Sequence, residues 1–584
     1  MARQLKFDLS TLHDLQLVSH LDYYFAKNMA DVFHETSSLV IVSCALVSKA
    51  LADGHICLDL KSLACTRLNL FEQDLCIHFP GLEEWENALA GSFMVGKEPA
   101  EIGYEKGTDP ERAFPLVLDK NSHLYLSRYY DFQKRLVSNL CSRVALSQAP
   151  IQVLKDEAFV CKHLDPLFMD QNQQQEEKQK EAVQKALAHN FLVISGGPGT
   201  GKTYITTMIK TLLDLYAVFR NTSLPRIIFV APTGKAAGRL TGGRTIHSVL
   251  KPIKGSTHFV YTKHNPLPVD VVIVDEASMI DLALMTRLLE AIPLDAKVIL
   301  LGDKNQLSPV QAGAVFNDIC RVKALESHLV FLTYNFRSKG KTGIENLARA
   351  INQNDVSTME TILTDDSFPD IGFEESSGED RLEKLLEKHI LKGYGPLIEQ
   401  TDIFKGLENL DNFRILCAHN RGVAGTLQIN HLCEKILRSQ ANFDIRKHFF
   451  KKIVMIGVND YSRGLFNGDT GMVHEEERIV KAGFRDSTGN VRQFRYLDLP
   501  VHDTAFAVTI HKSQGSEFDT VLIIIPDKLS PIVTRQLLYT GVTRARKKAI
   551  IVGRLEVIKE AMTLTLDKRS PIGVLLEQRL SRIK

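Results

Sequence analysis

The chain has 584 residues, of which 44% are hydrophobic and 24% charged, and its formal net charge is +2. This length predicts three or four domains with large buried cores. A nearly neutral chain excludes a globally basic surface, so any nucleic acid must bind in a local groove.

The cysteines do not form a recognisable metal or redox pattern. Nine are scattered along the chain without a C-x-x-C pair, and Cys57, Cys65 and Cys76 are spaced by eight and eleven residues, unlike a zinc or iron–sulfur signature. We expect buried free thiols in a reducing compartment. The N-terminus has no apolar signal core, and no apolar run is long enough to span a bilayer. These features predict a soluble, cytoplasmic protein.

Residues 1–150 show helical apolar periodicity and no catalytic pattern. The chain is less regular from 159 to 170. The polar run that begins at Gln171 is typical of either a solvated linker or the first turns of a helix that continues through Ala188. We therefore expect a helical N-terminal domain, with a domain boundary near residue 170.

A glycine-rich turn follows the short apolar run Phe191–Ile194 and precedes a helical segment that begins at Thr203. Its spacing satisfies G-x-x-x-x-G-K-[ST], in the strand–turn–helix context that this motif requires. Backbone N–H groups and the positive end of the helix dipole favour a phosphate there. We call Gly196–Thr203 the phosphate loop. The predicted nucleotide contacts are Gly196, Gly197, Pro198, Gly199, Thr200, Gly201, Lys202 and Thr203.

Short aliphatic runs followed by polar residues predict buried parallel strands. The first set is Ile227–Ala231, Val271–Val274, Val298–Leu301 and Leu329–Leu332, and the second includes Ile415–Ala418, Ala505–Ile510, Val521–Ile525 and Ala549–Val552. Two sets of this kind predict two α/β cores in tandem. Residues 450–500 are rich in Gly, Asp, Arg and alternating apolar residues, which predicts a small all-β insertion in the second core.

Candidate catalytic residues stand at the ends of these strands. Asp275 is placed to hold Mg²⁺ together with Thr203, and Glu276 to orient and deprotonate the attacking water. Gln306 follows the next strand and is a candidate sensor of the γ-phosphate. Arg337 and Arg544 are either ordinary surface residues or arginines supplied to the γ-phosphate, in which case hydrolysis would depend on closure of a cleft between cores.

In this order the motifs resemble those of the superfamily 1 DNA helicases, over about Gln179 to Gly553, and within that superfamily those of the RecD family, the alpha subunit of exodeoxyribonuclease V. The matching segments are the phosphate loop, Ala231–Ala237, Asp275–Ser278, Gly302–Gln306, His511–Asp519 and Tyr539–Ala545. Ile273–Asp281, Phe466–Gly471 and Ala507–Gly515 are typical of RecD.

The resemblance implies a fold of two tandem RecA-like parallel-sheet cores, at 151–340 and 341–584, with an SH3-like character for the 450–500 insertion. It implies that Gln179 reads adenine, that Arg337 and Arg544 contact the γ-phosphate and that Glu517 lies beside the nucleotide. A track for single-stranded DNA is implied at Pro232, Thr233, His247, Thr509, His511 and Lys512. Residues 251–268 correspond either to the β-hairpin pin of the family or to a disordered insertion.

The resemblance also implies the activity and the partners. They are an ATP- and Mg²⁺-dependent 5′→3′ motor on single-stranded or duplex-end DNA, in a heterotrimer with RecB-like and RecC-like subunits for double-strand break repair and recombination. Residues 1–150 lack the helix–hairpin–helix repeats of the longer stand-alone relatives, which favours a domain that docks onto a partner subunit. Two alternatives remain open: a stand-alone RecD-like helicase, and an ATP-switched DNA-binding scaffold that does not move. No separate cluster of Asp, Glu and Lys indicates a nuclease.

Overall fold

A computed structural model describes the chain in segments. The described residues are 3–70, 75–97, 114–146, 159–164, 173–336, 342–376, 378–400, 402–440, 451–460, 462–486, 489–565 and 568–582. No helix in these parts of the chain combines the length and the apolar character needed to cross a bilayer.

The N-terminal region combines helices with two small sheets. Its helices are α1 (Leu9–Asp14), α2 (His20–Phe33), α3 (Ser38–Ala52), α4 (Leu60–Leu63), α5 (Leu82–Ala90) and α6 (Ser127–Leu146). Its strands are β1 (Arg3–Leu5), β2 (Leu58–Asp59), β3 (Arg67–Leu70), β4 (Leu75–His78), β5 (Val95–Lys97), β6 (Leu116–Leu118) and β7 (His123–Leu126), in sheets ordered β1-β4-β3 and β2-β7-β6-β5. The expectation of a helical region was therefore incomplete. Strands of two to four residues are too short to show a period-two pattern.

Helix α6 joins this region to the first core through a buried arginine. Arg143 is fully buried, and its guanidinium donates to four backbone carbonyls at the end of the helix that follows the acidic strand. The acceptors are the oxygens of Leu289 (2.9 Å), Ile292 (2.6 Å), Pro293 (3.0 Å) and Ala296 (3.2 Å). Arg143 therefore satisfies carbonyl groups that a helix end would otherwise leave unpaired.

We expect Arg143→Met to destabilise the protein by roughly 3 kcal/mol. Methionine keeps most of the side-chain volume, but the substitution leaves several buried carbonyls without a hydrogen-bond donor. Urea titration of the full chain measures the change. Arg135→Met is the matched control on the same helix, since Arg135 is 39% exposed and ion-paired with Asp131 and Glu290. Its effect should stay within about 1 kcal/mol. Equal destabilisation by both variants would show that Arg143 has no special anchoring role.

The first core is a parallel sheet flanked by helices. Its elements are α7 (Gln173–Ala188), β8 (Phe191–Gly196), α8 (Lys202–Phe219), β9 (Ile227–Ala231), α9 (Gly234–Gly238), β10 (Arg244–Thr245), α10 (Ile246–Leu250), β11 (Val271–Val274), α11 (Leu282–Ala291), β12 (Lys297–Gly302), α12 (Val315–Cys320) and β13 (Leu329–Leu332). The strand order is β10-β9-β11-β12-β8-β13, and every pairing is parallel. The predicted strands are present, and helix α7 begins within the polar run. This core thus places the ends of β8, β11 and β12 at one edge of the sheet.

Residues 251–268 form an ordered loop with little regular strand. A turn at Gly255, where φ is +76°, is closed by an antiparallel bridge between Pro252 and Phe259. The Val260 N–H donates to the Lys251 oxygen at 2.9 Å and the Ile253 N–H to the His258 oxygen at 3.0 Å. A pin function for this hairpin-like loop stays a prediction.

The second core contains another parallel sheet. Its first elements are α13 (Gly343–Gln353), α14 (Val356–Thr364), β14 (Ile371–Glu375), α15 (Glu379–Glu399), α16 (Ile403–Glu408), β15 (Phe413–Cys417) and α17 (Thr426–Gln440). The inserted strands are β16 (Lys452–Ile456), β17 (Thr470–Glu476), β18 (Ile479–Arg485), β19 (Val491–Arg495) and β20 (His502–Thr504). The last elements are β21 (Ala507–Thr509), β22 (Phe518–Ile524), α18 (Arg535–Val542), β23 (Ala545–Gly553), α19 (Leu555–Thr563) and α20 (Ile572–Ser581).

The two sheets of this half of the chain have different pairings. The core sheet has the order β14-β23-β22-β15-β21 and is parallel, whereas the inserted strands form an antiparallel sheet ordered β19-β18-β17-β16-β20. The prediction of two tandem parallel cores is therefore confirmed. The SH3-like character of the insertion stays a prediction.

The end of the chain packs against the first core. Ile572, Leu576 and Leu580 of α20 are buried in the same apolar cluster as residues of α6 and α12. The Ala324 N–H donates to the Glu577 carboxylate at 3.0 Å. We propose that the second core ends before α20, because the helix contributes its apolar face to the first core.

Candidate nucleotide site and DNA track

The phosphate loop has the backbone that its glycines predict. Strand β8 is fully buried and ends at Gly196, and α8 begins at Lys202. Gly199 and Gly201 have φ angles of +81° and +85°, a conformation that favours glycine. The N–H groups at the start of α8 therefore face the space above β8, where an anion is stabilised.

Lys202 points into this loop. Its Nζ donates to the Gly196 oxygen at 2.5 Å and to the Gly197 oxygen at 3.0 Å. These carbonyls hold the ammonium over the hollow in which a phosphate would sit, so phosphate oxygens can replace them as acceptors.

Gln179, expected to read adenine, packs against the same loop. Its side chain is buried, and its Nε2 donates to the Thr200 oxygen at 3.1 Å. A Cβ on Gly201 would lie 2.3 Å from this nitrogen, so the close approach requires glycine. The Gln179 side-chain amide thus uses one of its two N–H groups to bind the phosphate loop. Recognition of adenine by Gln179 stays a prediction.

Phe336 is an aromatic residue that the motif comparison passed over. Its N–H donates to the Gly199 oxygen at 2.9 Å, and its ring lies edge-on to Tyr334 with centroids 4.8 Å apart. An aromatic face beside the phosphate loop is suited to stacking against a base. Its position immediately before the predicted site residue Arg337 was the sequence feature that could have identified it as a candidate. Arg337 itself lies outside the described residues.

The two carboxylates stand where the acidic strand ends. Strand β11 is fully buried, and Glu276 follows it in a left-handed conformation with φ of +51°. The Asp275 carboxylate accepts the Glu276 N–H at 2.9 Å. Burial and, to a smaller extent, the adjacent Glu276 charge raise the pKa of Asp275 to about 6, although the Lys202 charge opposes both effects. A buried carboxylate with a raised pKa is stabilised in its ionised form by a nearby cation.

The donor atoms at this point fit a hard divalent cation. The Asp275 carboxylate and the Thr203 hydroxyl at the head of α8 are oxygen donors, which Mg²⁺ prefers together with water and phosphate oxygens. Among the described residues, no group of three or more His, Cys, Asp and Glu could hold a metal by itself. A cation here would need oxygens from the nucleotide and water.

Arg544 enters the site from the second core. It is 1% exposed, its Nε donates to the Thr540 oxygen at 3.1 Å and its Nη1 to the Ser516 oxygen at 3.2 Å. Its Nη2 is buried without a hydrogen-bond partner among the described residues. Burial lowers the pKa of Arg544, and the charges of Glu276 and Glu517 oppose this change. The guanidinium therefore lies near the first core's Glu276 with one donor group free.

A cavity of about 740 Å³ lies between the two cores. It is lined by the phosphate loop, the end of β13, helix α13 and the residues around Tyr539. We call this space the nucleotide cleft. Its volume is in the range of small-molecule sites.

The register of the first sheet brings two predicted DNA contacts to the same edge. Strand β9 pairs in parallel with β10 so that Ala231 lies opposite Thr245. Thr233 and His247 both stand two residues beyond this pair, and Pro232 lies between Ala231 and Thr233. The Thr233 hydroxyl accepts the Ala236 N–H at 3.2 Å as the N-cap of α9.

The other three predicted DNA contacts lie at the end of β21 in the second core or directly after it. The Thr509 hydroxyl accepts the Lys512 N–H at 3.2 Å, and the Lys512 ammonium lies 3.3 Å from Asp503. Thr509 and Lys512 line a cavity of about 460 Å³. Burial lowers the pKa of His511, and Lys568 lowers it further, so a neutral imidazole is favoured there.

Three known protein families match separate parts of this chain. Residues 14–125 match the family RecBCD enzyme subunit RecD, N-terminal domain, residues 179–312 match the AAA domain, and residues 504–552 match the UvrD-like helicase C-terminal domain. Among solved structures, the Pif1 helicase from Bacteroides in complex with ADP-AlF3 and ssDNA aligns with 70% of this chain and 96% of its own, at 20% identity and a TM-score of 0.39.

Two curated relatives differ in how much of them the chain covers. The ATP-dependent RecD2 DNA helicase of Deinococcus radiodurans is 30% identical over 384 residues, which is 65% of this chain and 49% of that protein. The RecBCD enzyme subunit RecD of Mycolicibacterium smegmatis is 31% identical over 595 aligned residues, which covers 96% of this chain and 99% of that protein. Because this similarity extends over nearly the full length of both chains and includes the N-terminal domain, the chain belongs to the family of the RecBCD enzyme subunit RecD.

Proposed function

We propose that this chain is the ATP-dependent DNA helicase and translocase subunit of a RecBCD-type helicase–nuclease. It would move 5′→3′ along single-stranded DNA during double-strand break repair and recombination in the cytoplasm. The observation that carries the proposal is the buried Arg544, whose Nη2 has no hydrogen-bond partner among the described residues and whose pKa is influenced by the charge of Glu276 in the other core. A free guanidinium donor in such a cleft needs an anion, and a γ-phosphate supplies one.

The residues support hydrolysis as well as binding. Lys202 and the phosphate-loop N–H groups hold the β- and γ-phosphates, and Thr203 and Asp275 would hold Mg²⁺, which neutralises phosphate charge when bound. Glu276 takes a proton from the attacking water as the water oxygen bonds to the γ-phosphorus and the bond to the β-phosphate oxygen breaks. Arg544 stabilises the charge on the transferring group.

The DNA track supports a sequence-neutral motor. Hydroxyls, backbone amides and the Lys512 ammonium suit phosphates and carry no base information. Because Thr233 and His247 lie on one core and Thr509 and His511 on the other, closure of the nucleotide cleft changes the distance between the two halves of the track. ATP binding and hydrolysis would in this way drive steps along DNA.

A role as a subunit is favoured over a stand-alone helicase. The chain covers nearly all of the RecD subunit from Mycolicibacterium smegmatis but about half of the RecD2 helicase. We propose that residues 1–150 dock onto a RecB-like or RecC-like partner. Affinity purification at native expression tests this proposal, and absence of both partner chains would favour the stand-alone alternative. Strand displacement by the isolated chain separates a motor from an ATP-switched scaffold.

Lys202→Gln should abolish DNA-stimulated ATP hydrolysis while leaving the fold intact, because it removes a charge from the loop and no core volume. Steady-state ATPase with and without single-stranded DNA is the measurement. Lys210→Gln is the matched control, since Lys210 lies on the same helix in an ion pair with Asp214 at 2.6 Å. Wild-type turnover in Lys202→Gln would contradict the assignment of the phosphate loop.

A further inference from the structure

The loop that follows β12 is bound by side chains of the second core. We call Gly302–Leu307 the 302–307 loop. The Leu307 N–H donates to the Thr540 hydroxyl at 3.0 Å, and the Gln514 amide donates to the Leu307 oxygen at 3.0 Å. The Tyr539 hydroxyl donates to the Asp303 carboxylate at 2.9 Å. Three hydrogen bonds therefore tie this loop of the first core to the second.

Asp303 is the centre of this contact. It is 1% exposed, and its Oδ1 accepts the Asn305 N–H at 3.0 Å. Its Oδ2 accepts both the Tyr539 hydroxyl and the Gln306 Nε2, the latter at 3.1 Å. An ionised carboxylate only accepts hydrogen bonds, so Gln306 must turn its NH₂ group toward Asp303.

This orientation leaves the other end of the Gln306 amide available. Gln306 is buried, and its Oε1 has no hydrogen-bond partner among the described residues. An unpaired buried acceptor is costly unless a donor occupies the site during function. An amide oxygen accepts a hydrogen bond from water, whereas it cannot donate to a phosphate oxygen.

Tyr539 also touches the phosphate loop. A Cβ placed on Gly197 would lie 3.0 Å from the Tyr539 hydroxyl oxygen. One hydroxyl of the second core thus contacts both the phosphate loop and the carboxylate that orients Gln306. Its distance from each of them depends on how closely the two cores approach.

We propose that Tyr539 is a positioning residue that transmits closure of the nucleotide cleft to Gln306. Its hydroxyl fixes Asp303, and Asp303 fixes the Gln306 amide with the oxygen free to accept a hydrogen bond from the attacking water. When the cleft opens, Asp303 loses the Tyr539 donor and Gln306 loses its fixed orientation. The inference rests on the proposed function, because it assigns a role within ATP hydrolysis.

The phenol stays a donor throughout the physiological pH range. Burial raises the pKa of Tyr539 well above its usual value, and the charge of Asp303 raises it further. The Tyr539 hydroxyl therefore keeps the proton that it donates to Asp303.

Tyr539→Phe removes the hydroxyl and keeps the ring. We expect kcat for ATP in saturating single-stranded DNA to fall roughly tenfold, about 1.4 kcal/mol of transition-state free energy. KM for ATP and affinity for DNA should stay near those of the wild-type chain. Tyr394→Phe is the matched control, because Tyr394 is also buried but donates to the Phe506 oxygen within the second core. The control should lower the melting temperature without lowering kcat.

A double-mutant cycle with Asp303→Asn tests whether both residues act through the same contact. If they do, the double variant loses about as much kcat as the more damaging single variant. Additive losses, or wild-type kcat in Tyr539→Phe, would overturn the inference. Absence of DNA-stimulated ATPase in the wild-type full chain would overturn the proposed function along with it, so the two failures are distinguishable.

Discussion

Arg544→Ala should reduce DNA-stimulated ATP hydrolysis by on the order of a thousandfold, the loss typical of an arginine that contacts the γ-phosphate. The guanidinium is buried in the second core, its Nη2 has no hydrogen-bond partner in the described part of the chain, and the charge of Glu276 in the first core acts on its pKa. Nucleotide turnover would then require the two cores to approach each other. DNA binding should largely persist, because the DNA track does not include Arg544.

Arg544→Lys should rescue little of this activity. The guanidinium uses separate nitrogens for the Thr540 and Ser516 oxygens, with Nη2 left for a phosphate, and the single nitrogen of an ammonium cannot take these positions together. Arg554→Ala is the control, since Arg554 is an exposed arginine at the start of α19 in the same core. The assay is steady-state ATPase with and without single-stranded DNA, beside DNA binding at fixed salt, since phosphate contacts are salt-sensitive. Substantial DNA stimulation in Arg544→Ala would contradict the two-core site.

Local sequence was sufficient to predict the cores and the residues at their strand ends. Strands β9, β11 and β13 have the predicted bounds, and β12 extends its prediction by one residue at each end. The reason is physical: a buried parallel strand must be continuously apolar, and a left-handed turn over a phosphate favours glycine. These constraints act within a few residues, so a single segment carries their signal.

Contacts between distant segments had no comparable signal. Tyr539 and Asp303 are 236 residues apart, and Arg143 binds carbonyls about 150 residues away. A polar side chain that pairs with a distant backbone group imposes no periodicity on its own segment. The hydrogen bond from Gln179 to the Thr200 oxygen was missed for the same reason, because it depends on how the phosphate loop folds over α7.

Glu276→Gln should separate binding from hydrolysis. The substitution keeps the shape and one hydrogen-bond acceptor of the side chain but removes the base, so turnover should fall by at least about a hundredfold. Nucleotide and single-stranded DNA should still bind, because the phosphate loop, Asp275 and the DNA track are unchanged. The charge of Glu276 raises the pKa of Asp275, so its removal should lower that pKa. Asp275 should then stay ionised, and the proposed cation site should be retained.

The measurement is nucleotide binding by titration beside single-turnover hydrolysis, for Glu276→Gln and for Glu290→Gln. Glu290 lies on α11 of the same core and pairs with Arg135 at 3.3 Å, so its loss tests the general effect of removing a carboxylate. If the nucleotide affinity of Glu276→Gln fell as far as its hydrolysis rate, Glu276 would be a structural or metal-binding residue.

If Glu276→Gln bound ATP and DNA normally but hydrolysed ATP slowly, the cores should remain in their closed state. The DNA track formed by Thr233 and His247 on one core and Thr509 and His511 on the other would then be held at one length, and strand displacement should stop with the DNA still bound.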